Sequence, residues 1–412
     1  MVIDQREDVS FGEAQTRRSR RPRAATRTLD IAMIGTRGVP AAYGGFETAV
    51  EEIGRRLVDR GHSVLVYGRT AGSEGDYFLG MRRVTLPSVR QKALETLSHT
   101  ALSTAHAVTR ARPDVAFVFN AANSPFVPAL RARGIPVALH MDGLEWKRAK
   151  WGPRGRAYYR WAEQNGVRTA DALIADAPGI ADYYTHQFGA PTEMFRYGAP
   201  ILESAPSDGV EALGFEADGY HLVVARFEPE NHVREIVEGY SRSDATKPLV
   251  VVGAAPYAAE YTEAIADIAA SDPRIFLLGA VYDQALLDAL YFHAYTYVHG
   301  HSVGGTNPSL LRAIGAGTPV IAYDVGFNRE VLGDAGQYFT DAAGLARAVE
   351  MVEANPAENA AEGTALRERA RTEFSWDDVA AEYEDLARRL AAGYSVHPRL
   401  RRATRALTEW EA

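Results

Sequence analysis

No cysteine occurs among the 412 residues, so disulfides and thiolate chemistry are excluded outright, and the chain suits a reducing compartment. No apolar run reaches the roughly 18 residues that a bilayer-spanning helix needs. The first residues are charged and lack the apolar core of a secretory leader, so a cytoplasmic location is expected. A surplus of positive charge is also missing: the net charge is −8, which argues against general nucleic-acid binding. Nor do histidines and carboxylates gather at metal-ligand spacings, so no metal and no resident cofactor is expected. Hydrophobic residues at 46% and charged ones at 24% describe a globular protein, and the length exceeds one ordinary core.

Ten short apolar runs alternate with helical patterns. Leu29–Ile34, Ser63–Tyr67, Val115–Phe119, Val137–His140 and Ala172–Ala175 form one series. His221–Ala225, Pro248–Val252, Ile275–Leu278, Tyr295–Val298 and Pro319–Ala322 form a second. Such alternation implies parallel sheets with crossover helices, hence two doubly wound α/β halves. A cluster of proline and small residues over 198–209 marks the boundary. The resulting division is a basic tail over 1–27, an N-terminal domain over 28–199, a C-terminal domain over 200–375, and closing helices over 376–412 that return toward the N-terminal domain.

Two glycine-rich loops stand out. Gly35-Thr-Arg-Gly-Val-Pro40 continues into Tyr43-Gly-Gly-Phe-Glu47, where Gly44 and Gly45 precede a helix from about Phe46 to Arg60. The glycine spacing does not match the dinucleotide fingerprint, and a tight structural turn is the competing reading. The second loop, His299-Gly-His-Ser-Val-Gly-Gly-Thr-Asn-Pro-Ser-Leu-Leu311, follows a strand and opens an apolar helix. Glycines allow backbone N–H groups to approach a phosphate, and the positive helix end points the same way.

A third segment, Asp142-Gly-Leu-Glu-Trp-Lys-Arg-Ala-Lys-Trp151, follows a strand, where α/β clefts collect functional residues. Asp142 and Glu145 are candidate carboxylates for an acceptor hydroxyl, with helix capping by Asp142 as the competing reading. His140 is read either as a contact to a sugar or as a satisfied core histidine. Lys147, Arg148, Lys150 and Lys92 are read as contacts to acceptor phosphate or membrane, or as solvated surface.

These three motifs resemble the rhamnosyltransferase-type members of glycosyltransferase family 4, over about Leu29 to Glu384. The resemblance implies a GT-B fold, two Rossmann-like domains facing across a cleft, with the acceptor on the N-terminal half. It implies a metal-independent, mostly retaining enzyme that moves a sugar, rhamnose in this group, from a nucleotide diphosphate to a lipid-linked saccharide at the inner membrane face. Catalytic positions carried over are His140, Asp142 and Glu145; Gly44, Gly45 and Glu47 form the acceptor-side loop. Donor-binding positions are Arg226, Gly304, Gly305, Thr306, Asn307, Ser309 and Arg312.

Arg226 takes the place of the family's phosphate-binding arginine, whose fork suits a diphosphate; a surface ion pair with Glu228 or Glu230 is the competing reading. The lysine usual a few residues later is replaced by Asn231. The family's two carboxylates around the second loop are matched by Gly304 and Arg312, and a guanidinium cannot accept from ribose hydroxyls. Those departures motivate the alternative of a non-catalytic GT-B-like binding protein; an epimerase or phosphorylase on the same fold is a further rival.

The termini are strongly basic. Arg17, Arg18, Arg20, Arg21, Arg23 and Arg27 lie at one end, and Arg399, Arg401, Arg402 and Arg405 beside Leu400, Leu407 and Trp410 at the other. They read as a disordered tail and a packed helix, or as patches that touch anionic lipid peripherally.

Overall fold

A computed structural model of the chain describes residues 27–41, 45–69, 75–89, 91, 94–141, 143–147, 151–255, 258–303 and 305–397. Both basic termini, 1–26 and 398–412, lie outside the described residues, and so does Lys92. The chain forms two sheets. The first contains β1 (Asp30–Ile34), β2 (Ser63–Gly68), β3 (Tyr77–Phe78), β4 (Met81–Thr85), β5 (Val115–Phe119), β6 (Val137–Met141), β7 (Ala172–Ala175) and β8 (Glu193–Met194), in the order 3-4-2-1-5-6-7-8. All pairs are parallel except β3 with β4. The second contains β9 (His221–Val224), β10 (Leu249–Val252), β11 (Ile275–Gly279), β12 (Thr296–His299), β13 (Val320–Tyr323) and β14 (Gln337–Phe339), in the order 11-10-9-12-13-14, all parallel.

Every residue of β5, β6, β7, β10 and β12 is buried. That burial explains their near-continuous apolar sequences, because helices cover both faces of a parallel sheet. Each of the ten apolar runs forms a strand. The remaining four, β3, β4, β8 and β14, carry no such run. β3 and β8 have two residues each, β14 has three, and β4 reads Met-Arg-Arg-Val-Thr with only Met81 buried. Pairing to an existing sheet margin, rather than their own apolarity, makes them strands.

The chain passes between sheets twice, and the crossings touch: Ala199 N donates to Phe374 O at 2.7 Å. The last described helix, Trp376–Ala391, then packs on the first sheet. Its Tyr383 ring lies 5.0 Å from the Phe117 ring of β5 and 5.0 Å from Phe195. Glu384 accepts from His62 Nε2 at 3.2 Å and from Arg388 at 2.7 Å, and Asp377 pairs with Arg56 at 2.8 Å. No helix among the described residues is long and apolar enough to cross a membrane.

One buried polar cluster locks the second sheet to a later helix. Glu353, on the Ala342–Ala354 helix, accepts from Thr246 N, Thr246 Oγ1, Lys247 N and His221 Nε2 at 2.8–3.0 Å. Burial pushes the His221 pKa down and keeps the ring neutral, so Nδ1 accepts from Thr296 Oγ1 at 2.5 Å. The hydrogen bonds outweigh desolvation at Glu353 and hold its pKa near 2. Both groups therefore carry folded pKa values below their unfolded ones, so the folded state binds fewer protons. Stability is expected to fall as pH drops below about 6.5 through His221, and further from about 4.5 toward 2 through Glu353. Urea unfolding between pH 7 and pH 3 checks this; Glu353→Gln is expected to be less stable at pH 7 and less sensitive to acid.

Candidate functional site

In each sheet the order in which strands are added turns back at one parallel pair, β1 with β5 and β9 with β12. Loops leaving the carboxyl ends of such a pair diverge and open a crevice, where α/β folds bind ligands. The first crevice is bounded by Gly35–Ala41 after β1 and by Asn120 after β5. The second is bounded by Arg226–Asn231 after β9 and by the glycine loop after β12.

The β9 and β12 loops are knit together. Ser302 N donates to Glu230 O at 2.9 Å, and Asn231 Nδ2 donates to Arg226 O at 2.8 Å. His232 has a left-handed backbone (φ +49°), stacks on Tyr323 at 3.9 Å, and reaches Gly300 O through Nδ1 at 2.8 Å. A Cβ on Gly300 would run into the Asn231 carbonyl, so the close approach requires glycine there. Arg226 emerges from this frame with its side chain 36% exposed, 3.5 Å from the buried Glu228 carboxylate. Asn231 is 2% exposed and serves the loop backbone.

Asn307 caps the helix Pro308–Ala316, its Oδ1 accepting from Ser309 N at 2.9 Å. The Ser309 side chain interacts with the buried hydroxyls of Tyr291 and Tyr297. Arg312, one turn on, forms an ion pair with Asp288 of the Gln284–Phe292 helix. The glycine loop lies against the opposite domain. Thr306 Oγ1 donates to Asp176 O at 3.1 Å, and a Cβ on Gly305 would sit 2.7 Å from Asp176 Oδ1. A Cβ on Gly45 would sit 3.0 Å from the Pro308 ring. The two glycine loops, some 260 residues apart in sequence, thus meet across the cleft.

On the N-terminal side, Glu47 and Glu51 staple the first loop to the helix Gly45–Asp59. Glu47 Oε1 accepts from Arg37 N at 3.0 Å, and Glu51 Oε2 from Ala41 N at 2.7 Å. His140, in β6, is 3% exposed. It stacks on Phe119 at 5.6 Å, with Phe46 at 5.1 Å and Tyr197 at 6.1 Å. Burial lowers its pKa to about 3, so the imidazole is neutral, and Nδ1 has no hydrogen-bond partner among the described residues. Glu145 is buried and accepts from Trp151 Nε1 at 3.1 Å. Asp142, Gly44 and Gly304 lie outside the described residues, as do Arg148 and Lys150. Among the described residues no group of three or more His, Asp or Glu could hold a metal ion.

Asp176, directly after β7, and the aromatic ring of Phe46, Phe119 and Tyr197 around His140 escaped the sequence reading. Asp176 was findable, because it sits at the end of a clear strand. The aromatics come from three separate segments, and no local pattern links them.

Comparison with known proteins matches these halves separately. Residues 44–198 match the family described as glycosyl transferase 4-like domain, and residues 219–355 match glycosyl transferases group 1. Alpha-maltose-1-phosphate synthase of Mycolicibacterium smegmatis is 26% identical over 288 residues, covering 63% of this chain and 74% of that protein. Among solved structures, sucrose-phosphate synthase from Thermosynechococcus elongatus superposes with TM-score 0.74 at 22% identity, covering 88% of this chain and 99% of that one. Anabaena HepE in complex with UDP-glucose gives TM-score 0.71 at 16% identity, covering 87% and 99%. The non-catalytic reading finds no support in this company. With both crevices, the facing loops and both family matches in hand, the two halves belong to the glycosyl transferase 4-like and glycosyl transferases group 1 families, and the chain they make up is a glycosyltransferase of GT-B fold.

Proposed function

We propose that this enzyme transfers a sugar, with retention, from a nucleoside diphosphate to a lipid-linked saccharide, the sugar being rhamnose. The observation that carries the site is the β9/β12 crevice, where the loop bearing Arg226 is tied to the glycine loop through Glu230 and Ser302 and the glycine loop meets Asp176 of the opposite domain. Rhamnose and the lipid-linked acceptor rest on the likeness of the motifs at 35–47, 142–151 and 299–311 to rhamnosyltransferase-type sequences. In this reading residues 200–375 carry the donor and 28–199 the acceptor.

Arg226 and the amides of Gly304, Gly305, Thr306 and Asn307 neutralise the charge that develops on the leaving diphosphate. Ser309 and Arg312 complete the donor side. Arg312 contributes there only by exchanging its Asp288 partner. The anomeric C–O bond to phosphate breaks as the acceptor oxygen bonds on the same face, and the acceptor proton passes to the departing phosphate oxygen. His140, held neutral, offers a hydrogen bond rather than a charge to the sugar. Asp142 and Glu145 are assigned to orienting the acceptor hydroxyl, and the loop of Gly44, Gly45 and Glu47 to the acceptor side. Closure of the domains keeps water from the donor.

A second reading concerns the acceptor alone. Several similar proteins are named for phosphorylated soluble sugars, including a trehalose-phosphate synthase from Burkholderia xenovorans in complex with glucose-6-phosphate, with TM-score 0.68 at 13% identity, covering 87% of this chain and 100% of that one. Calorimetric titration with dTDP, UDP and GDP comes first, then transfer assays with the matching sugar nucleotide and both acceptor classes. Micromolar binding of one nucleotide and transfer to the lipid-linked saccharide is the expected result. Transfer to glucose-6-phosphate alone would replace the acceptor, and no nucleotide binding would overturn the donor site.

A further inference from the structure

The helix Pro153–Thr169 divides its charges by face. Tyr159, Ala162, Glu163 and Gly166 are buried against the first sheet, whereas Arg154, Arg156, Ala157, Arg160, Trp161, Gln164 and Arg168 are exposed. At about 100° per residue the exposed group spans roughly 160° of the helix circumference. Four guanidiniums lie on that arc and no carboxylate does, since the helix's one acid, Glu163, is 1% exposed. None of the four arginines forms an ion pair among the described residues, although most of the other described arginines do. Trp161 stands among them with 49% of its surface exposed. Lys147, exposed on the preceding loop, and Arg160 both lie over the Trp146 ring, at 5.6 Å and 4.4 Å.

We infer that this face docks on an anionic lipid surface. Guanidiniums interleaved with an exposed indole make the composition of a helix lying at a membrane interface. The location fits, because the loop that leaves β6 at the cleft leads into the helix start. Docking therefore sets the cleft rim at the bilayer. The inference deepens the lipid-linked reading of the acceptor without depending on it.

Other occupants meet like charge. A second copy of the chain would bring the same four arginines face to face. His397 Nε2 lies 2.9 Å from Val167 O in the helix's last turn. The sequence of 398–412 carries four arginines against two glutamates, a charge of the same sign as the face.

The test is co-sedimentation of the full chain with sucrose-loaded vesicles of phosphatidylcholine, with and without phosphatidylglycerol. Binding to phosphatidylglycerol vesicles that weakens with added salt is expected, with little binding to neutral ones. Combining Arg154→Gln, Arg156→Gln and Arg168→Gln is expected to lower partitioning roughly 100-fold, about fivefold per arginine. Trp161→Ser is expected to lower it as well and to reduce the blue shift of tryptophan emission. Nucleotide binding, measured by calorimetry, should be unchanged in every variant. Four results would overturn the inference: no binding to anionic vesicles, equal binding to neutral ones, a triple variant within about twofold of the parent, or tighter binding to single-stranded RNA than to vesicles. Failure here with nucleotide binding intact leaves glycosyl transfer standing, and the reverse result leaves the docking face standing.

Discussion

Arg226→Ala is expected to lower kcat/KM for sugar transfer by roughly 100- to 1,000-fold, the loss typical of removing one group that stabilises charge developing in the transition state. Binding of the intact sugar nucleotide should weaken by less, about 10- to 100-fold, because a hydrogen bond to a charged group contributes about 1.5–3 kcal/mol. The difference arises because the ground-state donor carries less charge on its glycosidic oxygen than the transition state does. Arg226→Lys should recover part of the binding and little of the rate, since an ammonium keeps the charge but not the planar fork. The side chain is 36% exposed and its neighbour Glu228 is held in a loop that Asn231 and Ser302 also tie down. Thermal unfolding should therefore stay close to that of the parent. Steady-state kinetics beside calorimetry of the same preparations read both quantities. A kcat/KM within threefold of the parent would remove Arg226 from the donor site.

The second large effect concerns the helix that returns to the first sheet. Tyr383 is 2% exposed, with its ring between Phe117 and Phe195, 5.0 Å from each. Burial holds its hydroxyl pKa well above the usual value. Tyr383→Ala empties that position and should cost about 3–5 kcal/mol, moving the first thermal transition down by roughly 10 °C. Tyr383→Phe keeps the ring contacts and should move it far less. Because this helix also carries Asp377 and Glu384, which pair with Arg56 and His62, the alanine variant should expose the Arg56 region to proteolysis before the second sheet unfolds. Differential scanning calorimetry and limited trypsin digestion check both statements. Parent-like unfolding of Tyr383→Ala would mean that the returning helix contributes little to the first domain.

Ten strands were legible as apolar runs, nine of them because strands covered on both faces must be apolar over most of their length; β11, at a sheet edge, is apolar although partly exposed. β3, β4, β8 and β14 were not, because a marginal strand takes its conformation from its neighbour. The glycine loops were legible in the same local way, and so was Arg226, which closely follows β9. Arg312 shows the opposite case. The motif resemblance assigns it to the donor side, but its ion pair to Asp288 depends on how two helices pack. His140 is similar: burial among Phe46, Phe119 and Tyr197, not its place after an apolar run, makes it neutral.

By itself, then, the order of residues determined the alternation of strand and helix, the two glycine loops and the positions of the strand ends that precede them, since each depends on neighbours within a few residues. Tertiary structure alone decided which loops face each other. Gly45 meets Pro308, and Thr306 meets Asp176, through packing between segments more than a hundred residues apart. It also decided which charges are paired and which are left exposed, as on the Pro153–Thr169 helix, because pairing depends on what each packed surface presents to the next.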